Sequence, residues 1–159
     1  MIYKLTDQIW WGNWQSPIEC LGQVGTIINV AHSFSRRRGR NVYWANLEQV
    51  RWEVMYFRLA KKDRMDIDDS YAAALASLVD SVSLLGKFPI LTHCQMGGHR
   101  GPTAAIFVAW HLAGRKVAAL RNLHAEALRL FPRLANGSNY YKSTLAYCER
   151  NSRLPGQDT

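Results

Sequence analysis

Apolar positions along the chain change period several times, and each change marks an element. Residues 2–5 and 8–11 read as two short strands joined at Thr6-Asp7, with Gly12 ending the second. Ser16-Pro17-Ile18-Glu19 combines a capping residue, a proline at the first helical position and a glutamate three residues after the cap. That pattern predicts a short helix, closed by Gly25 at the latest. Thr26-Ile27-Ile28-Asn29-Val30-Ala31 is a β-branched apolar run, as expected of a buried strand. Residues 32–52 show no period. Glu53 to Leu59 reads as another strand.

A helix follows, capped by Asp68 or Asp69. Its apolar positions, Tyr71, Leu75, Leu78, Val79, Val82 and Leu85, fall on one face, and Gly86 stops it. A strand over 88–93, a glycine-bearing loop and a helix over 101–113 come next, with Gly114 as the stop. Further helices are predicted over about 117–130, ending before Pro132, and about 138–150, capped by Ser138 or Asn139. Strands alternate with helices early and helices stand alone late. The expected fold is therefore α/β, with a mostly parallel sheet of four to five strands and a helical C-terminal layer.

Composition narrows the class. The chain has 159 residues, nearly half of them apolar, which suits one domain spanning residues 1–159 with a proper core. No apolar run approaches the length of a membrane span, and residues 1–7 lack the apolar stretch of a signal peptide, so a cytoplasmic location is expected. Cys20, Cys94 and Cys148 are odd in number and far apart, which suggests neither a disulfide framework nor a zinc site. The formal charge of +8 favours anionic partners: phosphorylated proteins, phosphoinositides, nucleic acid. The densest charge is Arg36-Arg37-Arg38-Gly39-Arg40.

The chemistry concentrates in His93-Cys94-Gln95-Met96-Gly97-Gly98-His99-Arg100-Gly101-Pro102. A strand, a glycine-bearing loop and a helix start aim backbone N–H groups and the positive end of a helix dipole at an anion. A cysteine at the strand end of that loop has its nucleophilic thiolate form stabilised. Arg100, in the first helical turn, can fork two N–H bonds onto a phosphate. The stretch reads as a nucleophile inside an oxyanion cradle.

His93-Cys94-x-x-Gly97-x-x-Arg100 resembles the signature of the cysteine-based protein tyrosine phosphatase superfamily, and the flanking segments resemble its dual-specificity branch. Ile9-Trp10-Trp11-Gly12 is similar to that branch's early strand, and residues 26–31 to its buried "thr-x-ile-leu-asn-val-ala" strand. Leu130-Phe131-Pro132-Arg133 through Asn139-Tyr140-Tyr141 to Leu145 is similar to its late segment.

The resemblance implies a two-step phosphoryl transfer with no metal or cofactor. Cys94 would be the nucleophile, with His93 behind it helping to hold the thiolate. Residues Gln95, Met96, Gly97, Gly98, His99 and Arg100 would bind the phosphate. The general acid would be an aspartate shortly before the helix that precedes the signature strand. Asp63 fits best and Asp66 second, at 31 and 28 residues before Cys94. One departure stands out: Gly101 occupies a position where the family usually has a serine or threonine, whose hydroxyl would stabilise the cysteine sulfur. Thr92 and Thr103 are the nearby hydroxyls available to take its place.

In a parallel α/β sheet, ligands bind at the carboxyl ends of the strands. Arg36, Arg37, Arg38 and Arg40 follow the strand that ends at Ala31, which puts them on the edge expected for Cys94 and suggests a role in recognising an anionic substrate. The leading functional expectation is a phosphatase acting on phosphotyrosine, and on phosphoserine or phosphothreonine, in proteins. The alternatives are RNA 5′-triphosphate ends or phosphoinositides as substrates, a phospho-binding module with little turnover, and sulfur transfer of the rhodanese kind.

Overall fold

A computed structural model describes residues 1–31, 54–61, 65–94 and 98–156. The arginine cluster at 36–40, Asp63, and residues 95–97 of the signature loop lie outside the described residues.

Among the described residues, five strands form one sheet: β1 (Ile2–Lys4), β2 (Ile9–Gly12), β3 (Thr26–Ala31), β4 (Met55–Lys61) and β5 (Ile90–His93). Their spatial order is β1-β2-β5-β3-β4. Of the described strand pairs, β1 and β2 are antiparallel; β2, β5, β3 and β4 run parallel. This is the mostly parallel α/β architecture expected. β5 is central, and all four of its residues are buried, as parallel strands covered on both faces must be.

Strand limits follow partners more than local sequence. β4 begins at Met55 because its neighbour β3 begins at Thr26, the residue paired with it. It therefore runs two residues later than the expected 53–59. β5 begins at Ile90, two residues later than expected, because Pro89 has no N–H to offer and its carbonyl instead accepts from Gly25 and Thr26.

The described helices are α1 (Ser16–Glu19), α2 (Asp69–Leu85), α3 (Arg100–Leu112), α4 (Val117–Leu130) and α5 (Asn139–Arg150), with a 3₁₀ turn over Pro132–Asn136. α2 has the ends its sequence announced. The Asp68 carboxylate accepts from the Tyr71 amide at 2.7 Å, and Gly86 closes the helix in the left-handed conformation. Leu75, Val79 and Val82 are buried on its inner face, whereas Leu85, expected on that face, is exposed. α1 departs from its pattern. Gln15, not Ser16, precedes it, because the Ser16 hydroxyl accepts from the Asn13 amide and donates to the Met1 carbonyl instead of capping.

α3 is the core of the molecule. Gly101 to Trp110 are all buried, enclosed by the sheet, α2, α4 and α5. The buried apolar cluster joins α3 to Ile9, Trp11, Ile28, Val30, Ile90, Leu75, Val79 and Cys148. A smaller cluster, with Trp10, Cys20, Val24, Ile27 and Leu91, fills the opposite face of the sheet. Burial of this extent supplies most of the folding energy, at roughly 25 cal/mol per Å² of apolar surface.

Candidate active site

Cys94 is the first residue past the C-terminal end of β5, and Arg100 opens α3. The sulfur is buried at the base of the helix. A Cβ placed on Gly101 would lie 3.5 Å from Cys94 Sγ, so the first turn of α3 sits directly on it. That first turn holds no acidic side chain, which leaves the positive end of the helix dipole uncompensated beside the sulfur. Gly98 and His99 lead into the helix as half-buried bend residues. The His99 side chain does not cap it; its carbonyl accepts from the Thr103 amide at 2.9 Å.

Two glycines let β2 meet α3 at this point. The same Cβ on Gly101 would come 3.1 Å from the Gly12 carbonyl oxygen, and a Cβ on Gly12 would collide with Ser16. Gly12 pairs with His93 across the ladder, so the end of β2 packs beside the cysteine loop. Thr92 adds a tie: its hydroxyl donates to the Gly101 carbonyl at 2.7 Å. That proton is therefore not directed at the cysteine. The Thr103 hydroxyl is buried and has no hydrogen-bond partner among the described residues.

His93 is fully buried, and burial pushes its pKa down to about 4. The imidazole is uncharged at neutral pH, and its Nδ1 lies 3.3 Å from the Cys94 carbonyl oxygen. Any support it lends the sulfur comes through hydrogen bonding and packing, not through a positive charge. Cys20 and Cys148 contrast with Cys94 in placement. Burial raises the first thiol to about 11 and the second to about 12, and neither sits at a helix start. Both are poor nucleophiles.

A tyrosine pair completes the surroundings. Tyr71 Oη and Tyr140 Oη are 3.0 Å apart, with the rings edge to face. Burial raises the pKa of Tyr140 well above the usual phenol value; Tyr71 and the Cys94 sulfur add to the rise, and Arg100 opposes it. Tyr71 is pushed up to about 12, again by burial, against the pull of Tyr140 and Arg100. Both phenols thus lie within the electrostatic reach of Arg100, and Tyr140 within that of Cys94. Sequence reading assigned Tyr71 to a helix face and found no role for Tyr140. No local signal joins residues 69 positions apart.

Solved structures share this arrangement of strands and helices. Tk-PTP in its active form superposes with a TM-score of 0.65 at 14% identity, covering 94% of both chains. Human DUSP28 gives 0.64 at 15% identity, over 94% of this chain and 93% of that one. PTPMT1 in complex with PI(5)P gives 0.61 at 12% identity, over 94% and 92%. The fold is that of the cysteine-based tyrosine and dual-specificity phosphatases. At the level of sequence, no protein-family model and no curated protein matches this chain.

On this phosphatase fold, His93, Cys94 and Arg100 come together at the carboxyl edge of the sheet. Gln95, Met96 and Gly97 lie outside the described residues, as does Asp63. Asp66 is described and exposed, on the segment between β4 and α2. Arg36, Arg37, Arg38 and Arg40 also lie outside the described residues. What is described is the exit from β3: Ala31 leaves the sheet on the edge where Cys94 leaves β5, since the two strands are parallel neighbours with Asn29 opposite His93. No described helix is long and apolar enough to cross a membrane.

Proposed function

We propose that this chain is a cysteine-dependent phosphatase of phosphomonoesters, with phosphotyrosine in proteins as the leading substrate class. One observation carries the reading. A buried cysteine directly follows the central strand, with its sulfur beneath the first turn of an acid-free helix start that also bears Arg100.

The chemistry follows from that placement. The Cys94 thiolate attacks phosphorus in line with the ester oxygen; the S–P bond forms as the P–O ester bond breaks. Backbone N–H groups of residues 95–100 and the Arg100 guanidinium hold the three equatorial oxygens, where charge is spread in the transition state. The carboxylic acid of Asp63, or of Asp66, delivers its proton to the leaving oxygen. Water then attacks the cysteinyl-phosphate and passes a proton to the same carboxylate, releasing inorganic phosphate and the Cys94 thiolate. His93 enters the reaction neutral, since burial pushes its pKa down to about 4.

The formal charge of +8, together with the likeness to PTPMT1 bound to PI(5)P, supports phosphoinositides as a second substrate class. A panel decides between them: phosphotyrosine and phosphothreonine peptides, phosphoinositides and RNA with a 5′-triphosphate, each with a Cys94→Ser control. Turnover of at least one phosphomonoester, abolished by Cys94→Ser, is the expected result. If Cys94→Ser matches the unmodified protein on every substrate it turns over, cysteine catalysis is wrong. Binding of phosphopeptides without turnover would instead indicate a phospho-binding module.

A further inference from the structure

The edge of the sheet opposite Cys94 carries an apolar surface. An open hollow of about 590 Å³ lies there, lined by Ile9, Phe88, Leu112 and Leu123 among others, and by Ser83. Ile9 and Phe88 sit at the amino ends of β2 and β5, and Leu112 ends α3, so the hollow lies a helix length away from the cysteine loop. Thirteen residues at 1.5 Å each make that about 20 Å. Leu84 and Leu85 fall between Ser83 and Phe88 in the chain. They are 88% and 60% exposed, the highest values of any large apolar side chain among the described residues. Val79 and Val82 take the inner face of α2 and Gly86 closes the helix at once, which leaves the pair outside. The backbone beneath them is fixed. The Lys87 amide donates to the Val82 carbonyl, the Thr26 hydroxyl donates to the Lys87 carbonyl at 2.7 Å, and the Pro89 carbonyl accepts from Gly25 and Thr26. Positive charge flanks the pair. Lys87 is exposed directly after it, and Arg115 and Lys116 occupy the turn between Ala113 and Ala119, which both line the hollow. The Arg153 amide donates to the Arg115 carbonyl at 2.7 Å, which brings a further exposed cation to this edge. Asp7 and Asp80 also lie toward it, with Asp80 engaged by His111 at 2.7 Å, so the balance among these six side chains is positive.

We propose that this edge docks on an anionic lipid surface. Leu84 and Leu85 enter the boundary between headgroups and acyl chains, and the hollow beside them offers apolar wall to a lipid chain. Lys87, Lys116 and Arg153 meet the headgroups, where anionic lipids attract basic side chains. Single exposed leucines are common on protein surfaces. An adjacent pair on fixed backbone, beside an uncovered apolar hollow and flanked by cations, calls for a partner that is both apolar and negatively charged. A lipid surface is both, and it is soft enough to take side chains that project outward. The domain lies on the bilayer without crossing it, and Cys94 faces away. The proposal does not draw on the phosphatase reading.

The test is co-sedimentation of the full chain with vesicles of phosphatidylcholine alone and of phosphatidylcholine mixed with phosphatidylserine. Phosphatidylserine is a phosphodiester, so it offers no phosphomonoester to the cysteine loop. The protein is expected to pellet with the mixed vesicles and to stay largely in solution with phosphatidylcholine alone. Leu84→Ser combined with Leu85→Ser should weaken binding about tenfold or more, and Lys87→Glu about fivefold or more. All three side chains are exposed, so thermal unfolding should not move; if the leucine variant fails to fold, Lys87→Glu alone decides. Absence of binding to the mixed vesicles overturns the proposal. So does binding that the folded leucine variant retains, which would assign it to the general charge of +8. Equal binding to both kinds of vesicle removes the anionic lipid and overturns it as well. Size-exclusion chromatography reads the competing occupant. A dimer that the leucine variant converts to monomer, with no vesicle binding, makes this edge a contact between two copies of the chain and overturns the lipid proposal.

Discussion

Gly101 places a hydrogen where a side chain would reach the Cys94 sulfur. A serine there would extend a hydroxyl from a Cβ only 3.5 Å from Cys94 Sγ, close enough to donate to the departing thiolate. The cost is steric: that Cβ is 3.1 Å from the Gly12 carbonyl, so the end of β2 must give by a few tenths of an ångström. Without the hydroxyl, breakdown of the cysteinyl-phosphate should be the slow step. We expect rapid-mixing kinetics to show a burst of leaving-group release in the unmodified protein. Gly101→Ser should shrink the burst and raise the steady rate about tenfold, the worth of one hydrogen bond to a charged group. Gly101→Ala, which adds the Cβ alone, should keep the burst; if it gains as much as serine, the hydroxyl is not the reason. His93 makes a second prediction at this scale. Its pKa falls from 6.5 to about 4 on folding, so between those values the unfolded chain binds the extra proton. Stability is then full above pH 6.5 and declines as pH drops toward 4, by about 3 kcal/mol from this residue. Urea unfolding across that window should show the decline, and His93→Gln should flatten it.

Elements were legible where their ends are written locally. α2 carries its own cap and stop, so its limits are read to within one residue from the Asp68-Asp69 pair and Gly86 without knowledge of the fold, and Asp68 is the one that caps. Strand limits were not, since β4 and β5 begin where their neighbours allow, two residues inside the apolar runs. The misread cap of α1 has the same origin. Ser16 is a fine local cap, yet its hydroxyl is drawn to Asn13 and Met1. Cys94 and Arg100 were legible because strand, loop and helix lie consecutively in the chain. The Tyr71–Tyr140 pair and the Ser143–Ile67 bond were not, because they join α5 to elements far upstream. The cap of α2 is the testable case. Asp68→Ala should cost about 1 kcal/mol in urea unfolding. Because Asp68 also fixes the Tyr71 amide, the cost should shrink in a Tyr71→Phe background if cap and phenol act as one unit. Strict additivity of the two substitutions would show that they do not.

At the scale of the molecule, charge and topology point the same way. The chain carries 20 lysines and arginines against 12 acidic residues, and β3 delivers it to the edge of the sheet where Cys94 lies. Arg36, Arg37, Arg38 and Arg40 come shortly after that exit. If they meet the substrate, their contribution grows with substrate charge and fades with salt, since the screening length falls from about 10 Å at 0.1 M to about 3 Å at 1 M. A small aryl phosphate fills only the cradle around Cys94 and should feel little of this. The KM of a multiply phosphorylated peptide or phosphoinositide should therefore rise with salt well beyond that of 4-nitrophenyl phosphate, at nearly constant kcat. Replacing the four arginines with alanine takes the formal charge from +8 to +4 and should remove most of that difference. A variant that keeps the full salt dependence would assign it to Arg100 and the remaining surface charge, and would leave the cluster as a solvated loop. A variant that loses it would tie substrate charge to a segment of the chain remote in sequence from the nucleophile.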